Sequence, residues 1–273
     1  MLYPKRRMAC LHGDFFCADP KWSDQLSEIG IDAGADWMAL EIGEIRSQSG
    51  YGAVRLLTLS DGTRVYFKAE RYALHKRLKA WLRPMRTTVE AFAYGHLQNL
   101  NIATLTTVAW GERRFLGLPL SSCIVTLEVP QSRDLREFAV DEWQYLEEPR
   151  KSEVSRQLAG QLAEQLRVAH ADGFVHHDLK WRNVLVQQTS DGLQPIWIDA
   201  PRAAIWRFRR QRGWVVDLSD LASLAVLLVG KYDRMRFMLR YLGPQRRPGD
   251  AASLCRLIEQ RLKRRPSRER DLG

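Results

Sequence analysis

Asp178 and Asn183 stand five residues apart in a polar stretch, His176-His177-Asp178-Leu179-Lys180-Trp181-Arg182-Asn183, that runs into the apolar Val184-Leu185-Val186. Sixteen residues after Asn183, Trp197-Ile198-Asp199 brings another carboxylate to the end of a short apolar run. Asn183 and Asp199 offer two oxygen ligands of the kind Mg2+ takes while it keeps substrate phosphates in its shell. Asp178 remains to accept a proton from an attacking hydroxyl. Taken singly, each Asp or Asn here is an ordinary cap or turn residue. Their order and spacing together point to phosphoryl transfer.

Several elements must position these groups. Ile42–Gln48, Ala53–Leu59 and Arg64–Ala69 have strand-like patterning. Asp61-Gly62, between the last two, is a hairpin signal. Val65-Tyr66-Phe67-Lys68 places a lysine at the end of the third run, and Thr88 to Leu97 reads as a helix that carries Glu90. Leu105–Ala109 and Cys123–Val129 are further strands, the latter closed by Pro130. Val154, Leu158, Leu162, Leu166 and Ala169 recur at helical spacing, with Ser152 as a candidate N-cap and Gly173 as a terminator. Helices are also expected over Asp217–Val229, Asp233–Tyr241 and Ala251–Arg261. Strands come first and helices follow, with a junction near Val129-Pro130-Gln131. This predicts two unequal lobes, 1–130 with an N-terminal extension over 1–40, and 131–273.

Composition excludes other classes. The chain has 273 residues, 45% hydrophobic and 27% charged, which is globular rather than disordered or fibrous. Four cysteines without C-x-x-C spacing do not make a disulfide scaffold, and a reducing compartment fits them. Cys10, His12 and Cys17 have no second half-site to complete a metal cluster, so ordinary packing is the expectation. No apolar run approaches the roughly 20 residues of a membrane span. The N-terminal basic residues lack a continuous apolar segment after them, as a signal peptide would need. A cytoplasmic protein is expected.

The loop around Asp178 resembles the catalytic loop of the protein-kinase fold, H-R-D-L-K-x-x-N, with His177 in place of the arginine. Ile198-Asp199-Ala200-Pro201-Arg202 is similar to the metal-site element of the lipopolysaccharide kinase (Kdo/WaaP) family, with Ala200-Pro201 where D-F-G has Phe-Gly. The resemblance covers residues 40–245. It implies an α+β, two-lobed protein-kinase-like fold, with a small β-rich N-lobe, a helical C-lobe and ATP in the cleft. It also implies that Lys68 pairs the phosphates and that Glu90 orients Lys68. Asp178 would be the proton acceptor, Lys180 would face the transferred phosphate, and Asn183 and Asp199 would bind Mg2+. Gly50 and Gly52, in Ser47-Gln48-Ser49-Gly50-Tyr51-Gly52, would let backbone N–H groups approach phosphates, although a hairpin turn explains two glycines equally well. Glu128, at a strand end before the junction, falls at the adenine-contacting hinge or simply terminates the strand. Asp217 or Asp220 would hold the backbone of the catalytic loop.

Only 17 residues separate Asp199 from Asp217, and no Ala-Pro-Glu occurs there, so a long activation segment is not expected. A small hydroxyl-bearing acceptor fits better than a peptide. The resemblance implies a heptose or Kdo hydroxyl of the lipopolysaccharide inner core. A protein kinase, an aminoglycoside-type small-molecule kinase and a pseudokinase scaffold at the cell envelope are the alternatives.

The formal net charge is +10. The excess is local. Arg71–Arg86 holds six Lys/Arg and no acid, and Arg202–Gly213 holds five and no acid. Arg256–Arg270 holds seven basic residues against two acids. In the first segment Leu74, Leu78, Trp81 and Leu82 form one face of an expected helix ended by Pro84. That face either packs on the small lobe or lies on an anionic leaflet, as peripheral contact with the inner membrane would require. In the second segment Trp206 and Phe208 stand among arginines directly after Asp199, with Trp214 just beyond, a setting suited to an acidic glycolipid. No recognised nucleic-acid module accompanies the charge, and none is expected to bind.

Overall fold

The computed structural model describes residues 14–264, except Leu82, Arg207, Arg209 and Arg246. Cys10, His12, Leu82, two arginines of the second basic segment and the tail beyond Arg264 therefore lie outside the described residues, as does the side chain of Arg210. The fold is mixed α+β, with an N-terminal antiparallel sheet and C-terminal helices. By contact density the chain divides in two. One unit runs to His96 and includes Leu105–Val129, and the other comprises Leu97–Thr104 and Pro130 onward.

The first unit is built on a six-stranded sheet. Its strands are β1 (Asp14–Ala18), β2 (Glu44–Ser49), β3 (Gly52–Thr58), β4 (Arg64–Arg71), β5 (Thr107–Phe115) and β6 (Leu118–Leu127), in the order β1-β5-β6-β4-β3-β2. Helix α1 (Ser23–Glu28) follows β1. The Asp61-Gly62 turn forms as its chemistry dictates. Gly62 takes φ +84, its N–H bonds the Leu59 carbonyl, and Asp61 Oδ1 accepts the Thr63 N–H at 2.8 Å. Alternate residues of β4 face a core: Val65, Phe67 and Ala69 are buried with Leu57, Leu59, Val108, Cys123 and Val125. Trp22, Leu26, Ile31 and Trp37 close that core from the N-terminal segment. β1 is an addition to the expected strands. It is half-exposed and pairs only with β5, so it lacks the apolar run that marks a central strand.

The Leu74/Leu78/Trp81 face differs from expectation. Only Leu74–Arg77 is helical (α2), turns follow, and Leu74, Leu78 and Trp81 are exposed rather than packed. Helix α3 (Arg86–Asn99) comes next.

The second unit opens with β7 (Ser132–Asp134) and α4 (Leu135–Asp141), capped by Asp134 Oδ1, which accepts the Glu137 N–H at 2.8 Å. The long helix α5 (Arg150–Asp172) buries Val154, Leu158, Leu162, Leu166 and Ala169 along one stripe, as the spacing requires. Each buried leucine contributes about 2 kcal/mol. Gly173 ends the helix with φ +93, its N–H bonding the Ala169 and His170 carbonyls. Ser152 is not the N-cap. The helix begins at Arg150, and Ser152 lies inside its first turn. β8 (Phe174–Val175), β9 (Val184–Thr189), β10 (Gly192–Trp197) and β11 (Ala204–Ile205) frame the polar loops. Helices α6 (Arg210–Leu228), α7 (Lys231–Leu242) and α8 (Asp250–Lys263) complete the unit.

Candidate functional site

Within the first unit, Lys68 lies on β4 between Val54 of β3 and Ile124 of β6. Its Nζ is 2.6 Å from Glu90 Oε1 on α3. The glutamate side chain is only 3% exposed and the lysine 27%. This pair is therefore held in a largely desolvated setting, unlike a surface bridge of little consequence. Lys68 also lines a pocket of about 280 Å3 with Ser47, Ser49, Gly52, Glu70 and Arg86.

The two glycines separate in role. A Cβ on Gly52 would come within 2.5 Å of the Ala69 carbonyl oxygen, so β3 can pair this closely with β4 only through glycine there. Gly50 sits at the tip of the β2–β3 hairpin with nothing near its missing side chain. Glu128 bonds within the sheet: its N–H donates to the Arg64 carbonyl at 3.0 Å, and its carboxylate is 3.0 Å from Arg64 Nε.

Two pocket residues escaped the sequence reading. Glu70 follows Lys68 on the same side of β4 by its period of two, and Tyr72 lies just past the strand's end at Arg71. Burial raises the Glu70 carboxyl above its usual range, against the pull of Lys68 and Arg86. Burial and then the neighbouring Glu70 push Tyr72 up to about 12. The only signal for Glu70 was alternation along β4, and Tyr72, past the strand's end, had none.

In the second unit, the residues from His176 to Asn183 form one hydrogen-bonded loop. Asn183 Nδ2 donates to the Asp178 carbonyl at 2.8 Å and lies 3.4 Å from Asp178 Oδ2. Lys180 Nζ is 3.1 Å from Asp178 Oδ1. Asp178 is thus drawn toward both Lys180 and Asn183, and the Asn183 amide is oriented with Oδ1 as its remaining acceptor. The Ile198 N–H donates to the Asn183 carbonyl at 3.0 Å, which brings the next residue, Asp199, beside the loop. Asp199 takes φ +55, an uncommon conformation for a residue other than glycine. His177 does the same with φ +66.

The loop is held from behind by Asp217, one of the two aspartates the sequence offers for that role. Asp217 lies mid-helix in α6 rather than at a helix start. Its fully buried carboxylate accepts the His176 and His177 N–H groups, each at 2.8 Å. The His170 Nε2 lies 3.3 Å from the same carboxylate, and His170 Nδ1 lies 2.8 Å from the Tyr241 hydroxyl. Burial alone would raise the Asp217 carboxyl. The His170 hydrogen bond, the nearby histidines and the His176 N–H outweigh it and hold the carboxyl below its usual value. Gly213, one turn before Asp217, lets α6 approach β8: a Cβ there would come 2.4 Å from Val175 Cγ2.

His176 ties the loop to the Asp199 segment. Its Nε2 lies 3.1 Å from the Ile198 carbonyl, which can only accept, so Nε2 carries the proton. Burial keeps the ring neutral by lowering its pKa. His177 packs against Trp206 at 5.4 Å, and Trp214 stacks on His170 at 5.9 Å. Phe208 is exposed. A histidine buried neutral must charge on unfolding, so its contribution is complete above about pH 6.5 and declines as pH falls below that value. Unfolding free energies from urea titrations are expected to fall between pH 6.5 and 5.5, by up to about 1.4 kcal/mol per pH unit from His176, and His176→Asn is expected to flatten that slope.

Among the described residues, no group of three or more His, Cys, Asp or Glu could hold a metal ion by itself. Asn183 and Asp199 supply hard oxygen atoms only, a donor set that fits a Mg2+ ion completed by phosphate oxygens rather than a zinc site. No helix among the described residues is long and apolar enough to cross a membrane.

A sheet-borne Lys–Glu pair in one unit and an Asp–Asn loop braced by a buried aspartate in the other define a protein-kinase-like fold. The structure of WaaP in complex with acyl carrier protein has the same fold, with a TM-score of 0.67 and 22% identity over 91% of this chain and 98% of that one. The chain belongs to the lipopolysaccharide kinase (Kdo/WaaP) family, whose pattern matches residues 46–241. Membership implies phosphotransferase activity and the use of ATP. No curated protein sequence matches the chain.

Proposed function

We propose that this protein transfers the γ-phosphate of ATP to a heptose or Kdo hydroxyl of the lipopolysaccharide inner core, in the cytoplasm at the inner face of the inner membrane. The hydrogen-bonded arrangement of Asp178, Lys180 and Asn183 carries this reading. Lys68, oriented by Glu90, holds the α/β-phosphates, and the strand turn at Gly50 and Gly52 lies over them. Asp178 accepts the proton of the acceptor hydroxyl, and Lys180 balances charge on the transferred phosphate. Asn183 and Asp199 hold Mg2+, which when bound neutralises phosphate charge. Glu128 ends the strand whose following backbone meets adenine. Most of the rate comes from position and electrostatics rather than covalent chemistry. The short stretch between Asp199 and Asp217 favours a sugar over a protein acceptor.

Radiolabelled ATP, Mg2+ and dephosphorylated lipopolysaccharide core are expected to give labelled core with the wild-type protein, and none with folded Asp199→Ala. Wild-type turnover in that variant would remove Asp199 from the site. Label on proteins and none on core would favour a protein kinase.

We further propose a partner of the kind found in the similar structure, an acyl carrier protein. An apolar pocket of about 170 Å3 in the second unit supports this, lined by Phe138, Leu158, Leu162, Leu221 and Met238 among others. Intact-mass analysis of the purified protein would reveal a co-purifying carrier.

A further inference from the structure

Among the large apolar side chains exposed on the first unit, five fall in two stretches that meet. Leu74, Leu78 and Trp81 are 80%, 73% and 54% exposed, and Phe115 and Leu116, at the β5–β6 hairpin tip, are 64% and 79% exposed. They are fastened to one another. Trp81 Nε1 donates to the Leu116 carbonyl at 3.0 Å. Behind that contact sits a buried ion pair, with Arg114 Nε 2.6 Å from Glu112 Oε2 and side-chain exposures of 2% and 3%. Arg114 donates to the Gly117 carbonyl at 2.9 Å and also to the Arg83 carbonyl. Glu112 accepts the Met85 N–H at 2.6 Å. One buried pair therefore clamps the segment after α2 onto the hairpin, and the clamp fixes where the apolar groups are displayed.

The tip itself is costly by local rules. Leu116 takes φ +48 and Gly117 φ +80, a turn in which Asn-Gly is the favoured pair. A leucine there is strained in backbone and exposed in side chain, and neither turn chemistry nor solvation accounts for it. The surroundings are basic: Lys76, Lys79 and Arg83 are exposed on the segment, and Arg71–Arg86 contains no acid.

We infer that this surface docks onto an anionic lipid bilayer, with Leu74, Leu78, Trp81, Phe115 and Leu116 entering the interface and the cations meeting lipid headgroups. The side chains stand proud of the surface instead of lining a groove. A fluid bilayer accepts protruding apolar groups without a matching shape, and the charge is complementary to its headgroups. None of the five apolar groups lines the pocket around Lys68, although Lys76 does. Docking here extends the proposed placement at the inner membrane, and its test needs neither nucleotide nor sugar acceptor.

Sedimentation of the full chain with vesicles provides that test. Binding to phosphatidylcholine mixed with phosphatidylglycerol is expected, with little binding to phosphatidylcholine alone and weakening as salt is raised. The pair Leu78→Gln with Leu116→Asn, the second of which suits the turn better, is expected to lower partitioning at least about tenfold. Circular dichroism should stay at wild type and the melting midpoint at or above it. Lys79→Glu is expected to lower binding without touching the apolar groups. No binding of the wild type to anionic vesicles would overturn the inference. So would equal binding by the folded apolar variants, or an interaction confined to acidic proteins.

Discussion

Asp178→Asn is expected to lower kcat for phosphotransfer about a thousandfold, within the range for losing a positioned general base, with little change in KM for ATP. The substitution is nearly isosteric. The Asn183 amide donates to the Asp178 backbone carbonyl, which the change leaves in place. What disappears is the carboxylate beside Lys180 Nζ, and with it the group proposed to accept the hydroxyl proton. Steady-state kinetics on dephosphorylated core, with circular dichroism to confirm the fold, checks this. A kcat within threefold of wild type would take the role of base away from Asp178.

Asp217→Ala is expected to have the largest effect on stability, about 3–5 kcal/mol. It removes the acceptor for two buried N–H groups and leaves His170 without its carboxylate. Unpaired buried donors carry their full desolvation cost. Because the Asp217 carboxyl is held below its usual value, its contribution is complete above the unfolded pKa near 4 and is lost as pH falls through the folded value. Urea denaturation at neutral pH measures the deficit. Asp217→Asn keeps the volume but turns one oxygen into a donor facing an N–H, so it too should destabilise, and phosphotransfer should fall with loop order. A midpoint unchanged in the alanine variant would mean the loop does not depend on this brace.

Local chemistry was legible in the chain. Asp61-Gly62 specifies a turn through its own side chain and its own φ, and that turn forms. The Val154–Ala169 spacing and Gly173 specify a helix and its end, because periodicity and left-handed backbone are properties of neighbouring residues. The α+β fold and the kinase family were legible through the order of Lys68, Glu90, Asp178, Asn183 and Asp199.

Features that depend on distant partners were not legible. β1 is an edge strand that exists only through β5, so its pattern alone does not announce it. The Leu74–Trp81 spacing describes a helix face equally well whether a core awaits it or not, and here the chain is clamped to the hairpin of β5 and β6 before the helix can extend. Asp217 and Asp220 are alike as helix acids. Only the packing of α6 against β8, made possible at Gly213, brings Asp217 under the His176–His177 backbone. The sequence by itself determined which side chains could do the chemistry and which short segments would turn or coil, since those follow from residue type and near-neighbour spacing. Tertiary structure decided which buried carboxylate braces the loop and which apolar stripe stays in solvent, since both follow from burial against residues far along the chain.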